Sequence, residues 1–167
     1  MTQTTRTSLT LLGLSVLLAA AAVWGWNAMM RPLPAKVDSA VCVSTPVNTG
    51  DKVYPQQVAV SVYNAGTREG LAGRTMQLLT AKGFVQGQSG NAASARVATV
   101  AIWTTRPEDP DVQLVASYLG EATQIERRDG PGVGVTVVVG DKFRTLAQGR
   151  PAVVAAKDAT ICSPQVN

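Results

Sequence analysis

The chain has 167 residues, with 15 Lys and Arg, 11 Asp and Glu and a formal charge of +4. It contains no histidine, so the usual general base near neutral pH is missing, and its two cysteines fall short of the roughly four ligands of a zinc site. Beyond residue 31 there are 13 Lys and Arg against 11 Asp and Glu, dispersed except for Arg127-Arg128, which argues against a nucleic-acid-binding stripe.

Thr7 to Met30 is a run of 24 uncharged residues. Its portion from Leu9 to Met30 would span ~33 Å as a helix, against a hydrocarbon core of ~30 Å. Trp24 and Trp26 lie near its end, where amphipathic rings favour the headgroup layer, with Arg31 and Lys36 just beyond. Residues 1–31 are therefore expected to form a transmembrane helix that anchors the protein to the membrane. A cleaved secretory signal is the competing reading, since Arg6 supplies a charged start and Ala19 to Ala22 are small. Such an apolar region usually ends after about 7 to 15 residues, and this one continues.

Residues 32–56 read as a linker and arm. Pro32 to Lys36 resists continuing the helix, and the polar stretch around Cys42 contains a turn at Asn48-Thr49-Gly50-Asp51. Cys42 and Cys162 bracket the patterned region, and a bridge between them would close a loop of about 121 residues for roughly 5 kcal/mol. That reading requires an oxidising, extracytoplasmic compartment. Two inert buried thiols in a cytosolic domain are the alternative.

Residues 57–143 carry the regular pattern. Gln57 to Asn64 alternates as a strand and Asn64-Ala65-Gly66 breaks it. Arg68 to Lys82 takes a helical period, with Leu71, Thr75, Leu78 and Leu79 on one stripe and Gly83 as the left-handed stop. Phe84 to Gln88 is a short strand, Ser89 to Ser94 a polar loop, and Val97 to Trp103 a central strand. Asp109 and Pro110 suit a helix start, followed by an apolar stripe of Val112, Val115 and Leu119 with Leu114 and Tyr118 beside it. Ala122 to Arg127 reads as an edge strand and Val135 to Val139 as the last strong one. Residues 144–167 form a C-terminal arm carrying Cys162, with no secondary structure set by their pattern.

The order is β-α-β-β-α-β-β. It predicts an α+β fold: a two-layer sandwich with two helices packed on one face of a mixed sheet, plus the N-terminal transmembrane helix.

Few residues offer chemistry. Glu108, Asp109 and Asp111 cluster, but helix capping accounts for them better than a cation site or a catalytic pair. No catalytic residue, metal or cofactor is expected. The turn after the first strand could present backbone N–H groups to an anion, making Asn64, Gly66, Thr67, Arg68 and Arg74 a candidate binding turn. The plainer reading gives Asn64 and Gly66 turn geometry and makes Thr67 a helix cap. Tyr63, Phe84, Trp103, Tyr118 and Phe143 fall at core positions.

The string Val60-Ser61-Val62-Tyr63-Asn64-Ala65-Gly66-Thr67, then Gly70-Leu71-Ala72, Leu78-Leu79, Gly83-Phe84 and Val137-Val138-Val139-Gly140-Asp141-Lys142-Phe143, resembles the LytR C-terminal domain over residues 57–143. The close departs by one residue from that family's Gly-x-Asp-Phe-like end, which leaves the role of Asp141 open. The resemblance, to the stand-alone, membrane-anchored form of actinobacteria, implies a non-catalytic module on the extracytoplasmic side of a single-pass anchor. Its implied role is cell-envelope integrity through binding an envelope protein, lipid or glycan. The implied alternatives are an accessory scaffold for wall-glycopolymer transferases and a lipid or polyprenyl-phosphate-binding protein.

Overall fold

In the computed structural model the backbone is described for residues 3–29 and 43–164, and side chains for 11–26 and 43–164. Helix α1 (Gln3–Met29) belongs to one unit, and everything from Val43 onward to a second. The apolar side chains of α1 are exposed, Leu17 at 71% and Trp24 at 74%. Among the described residues no helix is long and apolar enough to cross a membrane, so the expected transmembrane span is not established by the structure.

The second unit is built on a five-stranded sheet of order β4-β3-β7-β5-β6. Its strands are β3 (Ala59–Asn64), β4 (Val85–Asn91), β5 (Val100–Thr104), β6 (Thr123–Arg127) and β7 (Val135–Val139). β3 runs parallel to both β4 and β7, β5 runs parallel to β6, and β5 meets β7 antiparallel. Two β-α-β units, β3-α2-β4 and β5-α3-β6, thus flank the central β7. The β-branched runs of β3, β5 and β7 suit this position, because strands buried on both faces need continuous apolar sequence.

Helices α2 (Leu71–Ala81) and α3 (Pro110–Leu119) lie over one sheet face. There Val60, Val62, Val100, Ile102, Val135, Val137 and Val139 share a core with Leu71, Met76, Leu79, Leu114, Val115 and Leu119. The core stripe of α2 is Leu71, Ala72, Thr75, Met76 and Leu79, while Leu78, expected on that stripe, is only half-buried. Gly83 ends α2 with φ of 96° as expected, and Phe84 beyond it packs edge-on against Tyr118 of α3 at 5.1 Å. On the opposite face Tyr63, Ala101, Trp103 and Val138 form a smaller cluster. The Arg128 guanidinium sits 3.8 Å over the Trp103 ring there.

The flanking segments are part of this unit rather than loose arms. Strand β1 (Val43–Val47) pairs antiparallel with β9 (Ala159–Ser163), and β2 (Lys52–Val53) with β8 (Val153–Val154). Val47, Val53 and Ile161 from these strands, with Ala155 just after β8, enter the same core as α3. The expected turn at Asn48 to Asp51 is present, with Asp51 N–H donating to the Asn48 carbonyl at 3.0 Å. These pairings join residues 100 or more positions apart, so short-range periodicity carries no sign of them. β4 also continues through Ser89 to Asn91, expected as loop, because β3 offers it a parallel ladder that closes after a bulge between Gln86 and Ser89.

Candidate functional site

β3, β4 and β7 all end on one side of the sheet, at Asn64, Asn91 and Val139. The loops that follow them, together with the approach to β5, meet there. In open sheets of this kind, ligands are found outside the carboxyl ends of strands, at the point where neighbouring connections leave in opposite directions. β3 and β7 make such a point, since the chain leaves β3 toward β4 but leaves β7 toward the C-terminal segment.

The backbone N–H groups of the turn proposed as an anion receptor are occupied within the protein itself, by the carboxylate of Asp141. The backbone N–H groups of Thr67 and Arg68 donate to the Asp141 carboxylate at 2.9 and 3.0 Å, and the Thr67 hydroxyl donates to it at 3.1 Å. These donors hold the carboxyl of Asp141 below the usual carboxylate range. Asn64 shapes the turn by accepting from Gly66 N–H at 2.9 Å and donating to the Arg68 carbonyl at 2.8 Å. The Arg68 guanidinium closes the clasp on the carbonyls of Asp141 and Phe143, at 3.3 and 3.2 Å. A Cβ at Gly66 would collide with the Asp141 carboxylate, so only glycine lets the two loops approach this closely. Thr67 does not cap α2: the cap position belongs to Gly70, in the left-handed conformation at φ 71°. Arg74 lies exposed on α2, outside the clasp.

Two recesses flank this turn and share Gly66. One, of about 490 Å³, opens toward β4 between Asn64, Thr67, Glu69 and Asn91. The other, of about 450 Å³, is walled by Ala65, Ala95, Val97 and Ala98 and carries Arg96 and Lys142 beside Asp141.

The acidic cluster lies elsewhere, at the start of α3. Asp109 occupies the cap position without a capping hydrogen bond from its side chain, a correction to the expected role. Its carboxylate instead pairs with Arg106 at 3.1 Å and lies 4.0 Å from Lys157, which also meets Glu108 at 3.3 Å. Asp111 is only 7% exposed. Burial pushes its carboxyl up to about 6, a direction the nearby Asp109 charge reinforces and the Val112 N–H and Arg106 oppose. A recess of about 140 Å³ at this point is lined by Thr104, Arg106, Asp109, Asp111, Gly134 and Cys162. Among the described residues no group of three or more His, Cys, Asp or Glu is arranged to hold a metal.

Cys162 lies in β9, opposite Ser44 of β1. Its expected partner Cys42 falls outside the described residues, and no free cysteine occurs among the described ones.

A family model described as LytR cell envelope-related transcriptional attenuator matches residues 57–143, just over half of the chain. Among solved structures, the soluble domain of a conserved hypothetical secreted protein from Mycobacterium marinum, an Rv2700 ortholog, is similar at 21% identity and a TM-score of 0.49. That similarity covers 60% of this chain and 69% of that one. The C-terminal domain of RV0431 is similar at 27% identity and a TM-score of 0.33, over 66% of this chain and 98% of that one. No curated protein matches.

Proposed function

This chain belongs to the LytR cell envelope-related transcriptional attenuator family, and from that premise we propose a non-catalytic, extracytoplasmic module that binds an envelope component and supports envelope integrity. The observation that carries the reading is the family match itself, which spans the whole sheet and both of its helices. The residues fit it. The buried carboxylate of Asp109 is committed to Arg106 and the turn at the strand ends to Asp141, so neither is left free for catalysis in this reading.

In this proposal α1 is a single-pass membrane anchor. The uncharged run from Thr7 to Met30 and the outward-facing Leu, Val and Trp side chains support it. A Cys42–Cys162 bridge is part of the same reading. Val43 pairs with Ser163 in the β1–β9 ladder, so the residues covalently next to both cysteines are already neighbours. Residues 57–143 form the family domain, with 43–56 and 144–163 wrapping it. An accessory role, scaffolding glycopolymer transferases, draws support from β4, an edge strand with seven uncharged residues and no proline.

Deleting the gene should raise sensitivity to detergent and to wall-active antibiotics. An unchanged permeability barrier under every such stress would refute the envelope role. Mass spectrometry after alkylation of the native, unreduced protein should find both thiols blocked from labelling. Two labelled cysteines would remove the bridge and the oxidising compartment with it.

A further inference from the structure

Two exposed cations meet where the loop before β5 and the loop after β7 converge. Residues 32–167 carry an excess of only two positive charges. The recess between Ala65-Gly66, Ala95–Ala98 and Asp141-Lys142 is lined by Arg96 and Lys142 against one carboxylate, that of Asp141. The surroundings of Asp111, by contrast, hold Arg106 and Lys157 against Glu108, Asp109 and Asp111.

The Asp141 carboxylate keeps its negative charge, but its hydrogen-bonding positions are directed away from the two exposed cations. Both of its oxygens are taken by Thr67 and by the Arg68 N–H, and the Arg68 guanidinium is turned to backbone carbonyls. Arg96 and Lys142 have no carboxylate within salt-bridge distance among the described residues. They come from segments 46 positions apart and are brought to one recess by ladder-end hydrogen bonds. Gly140 N–H donates to the Thr99 carbonyl at 2.8 Å, and Lys142 N–H to the Ala98 carbonyl at 3.0 Å. The walls are Ala, Gly and Val, which leave about 450 Å³ open beside the two charges.

We propose that this recess binds a phosphate group, held by the fork of Arg96 and the point charge of Lys142. A guanidinium offers paired donors that match phosphate oxygens, and an ammonium adds charge without directional demand. The Asp141 clasp positions Lys142 by fixing the loop that carries it. The proposal rests on the envelope reading only for the setting in which such phosphates are met: an anionic lipid headgroup or a soluble phosphate ester.

The test titrates the full chain in neutral detergent with inorganic phosphate and with glycerol phosphate, following amide shifts of Gly66, Ala95, Val97, Ala98 and Lys142. Saturable shifts are expected at these positions, weakening with added salt. The apparent affinity should fall at least about tenfold in R96Q/K142Q but stay within about twofold in K52Q/K82Q, which removes the same charge at β2 and at the end of α2. Vesicle flotation then assigns the source. Preference for phosphatidylglycerol over phosphatidylcholine that R96Q/K142Q abolishes indicates a lipid headgroup, and glycerol-phosphate binding without vesicle preference indicates a soluble ester. Absence of saturable shifts, or equal weakening in both double variants, would overturn the proposal. The permeability of the deletion strain is measured without added ligand, so the envelope role stands or falls separately.

Discussion

Replacing Asp111 with asparagine is expected to stabilise this protein at neutral pH. In the folded chain burial moves the Asp111 carboxyl from 3.8 to about 6, a difference worth roughly 3 kcal/mol at 1.36 kcal/mol per unit. The sign follows from proton binding. Between about pH 4 and 6 the folded state keeps a proton that the unfolded chain has lost, so stability from this group is greatest below 3.8. It declines through that window and is flat above it. The native chain therefore carries this cost at pH 7. Asparagine retains an oxygen for the Val112 N–H, which Asp111 now accepts at 2.9 Å, and removes the titration. With no histidine in the sequence, carboxyl groups account for side-chain titration between pH 4 and 7. Urea unfolding by near-ultraviolet circular dichroism at intervals from pH 4 to 7.5 should show native stability falling by roughly 3 kcal/mol across the window, and D111N nearly level there. Equal slopes in the two proteins, or native stability that rises from pH 4 to 6, would show that Asp111 is not held in the buried state described.

Asp141 and Asp158 act in the opposite sense. Their pKa values are lowered by N–H groups of Thr67 and Arg68 and of Thr49, so the stability they contribute is present above about pH 4 and lost below it. Both proteins should therefore lose stability on acidification below pH 4. D141N should speed hydrogen exchange at the Thr67 and Arg68 amides while leaving exchange in β7 nearly unchanged. Gly134→Ala should be among the most damaging single changes, costing about 2 kcal/mol or more in urea unfolding, because φ is 69° there and a Cβ would strike the Ala59 carbonyl. R128A should lower stability by about 0.5–1 kcal/mol and change Trp103 emission, since the guanidinium lies over that ring.

The alternation of Val58, Val60 and Val62, the 3.6-residue stripes of α2 and α3, and the stop at Gly83 are local patterns. They placed the seven elements between residues 57 and 143 in order, because each depends on neighbours within a turn or two of chain. The motifs carried by those elements also pointed to the family. Asn64 and Gly66 also marked a turn after the first strand, and Asn64 does shape one there through its bonds to Gly66 and Arg68.

Tertiary structure alone decided what fills that turn. Asp141 lies 74 positions from Thr67 in the chain, and only the parallel pairing of β3 with β7 brings it there. The same holds for the joining of β1 to β9 and for the meeting of Arg96 with Lys142. The burial that raises Asp111 likewise depends on how segments around the recess pack. Periodicity reports which face a residue turns toward its own element's surroundings. Which distant segment waits there is set by strand register and core packing, and those come into being only when the chain closes on itself.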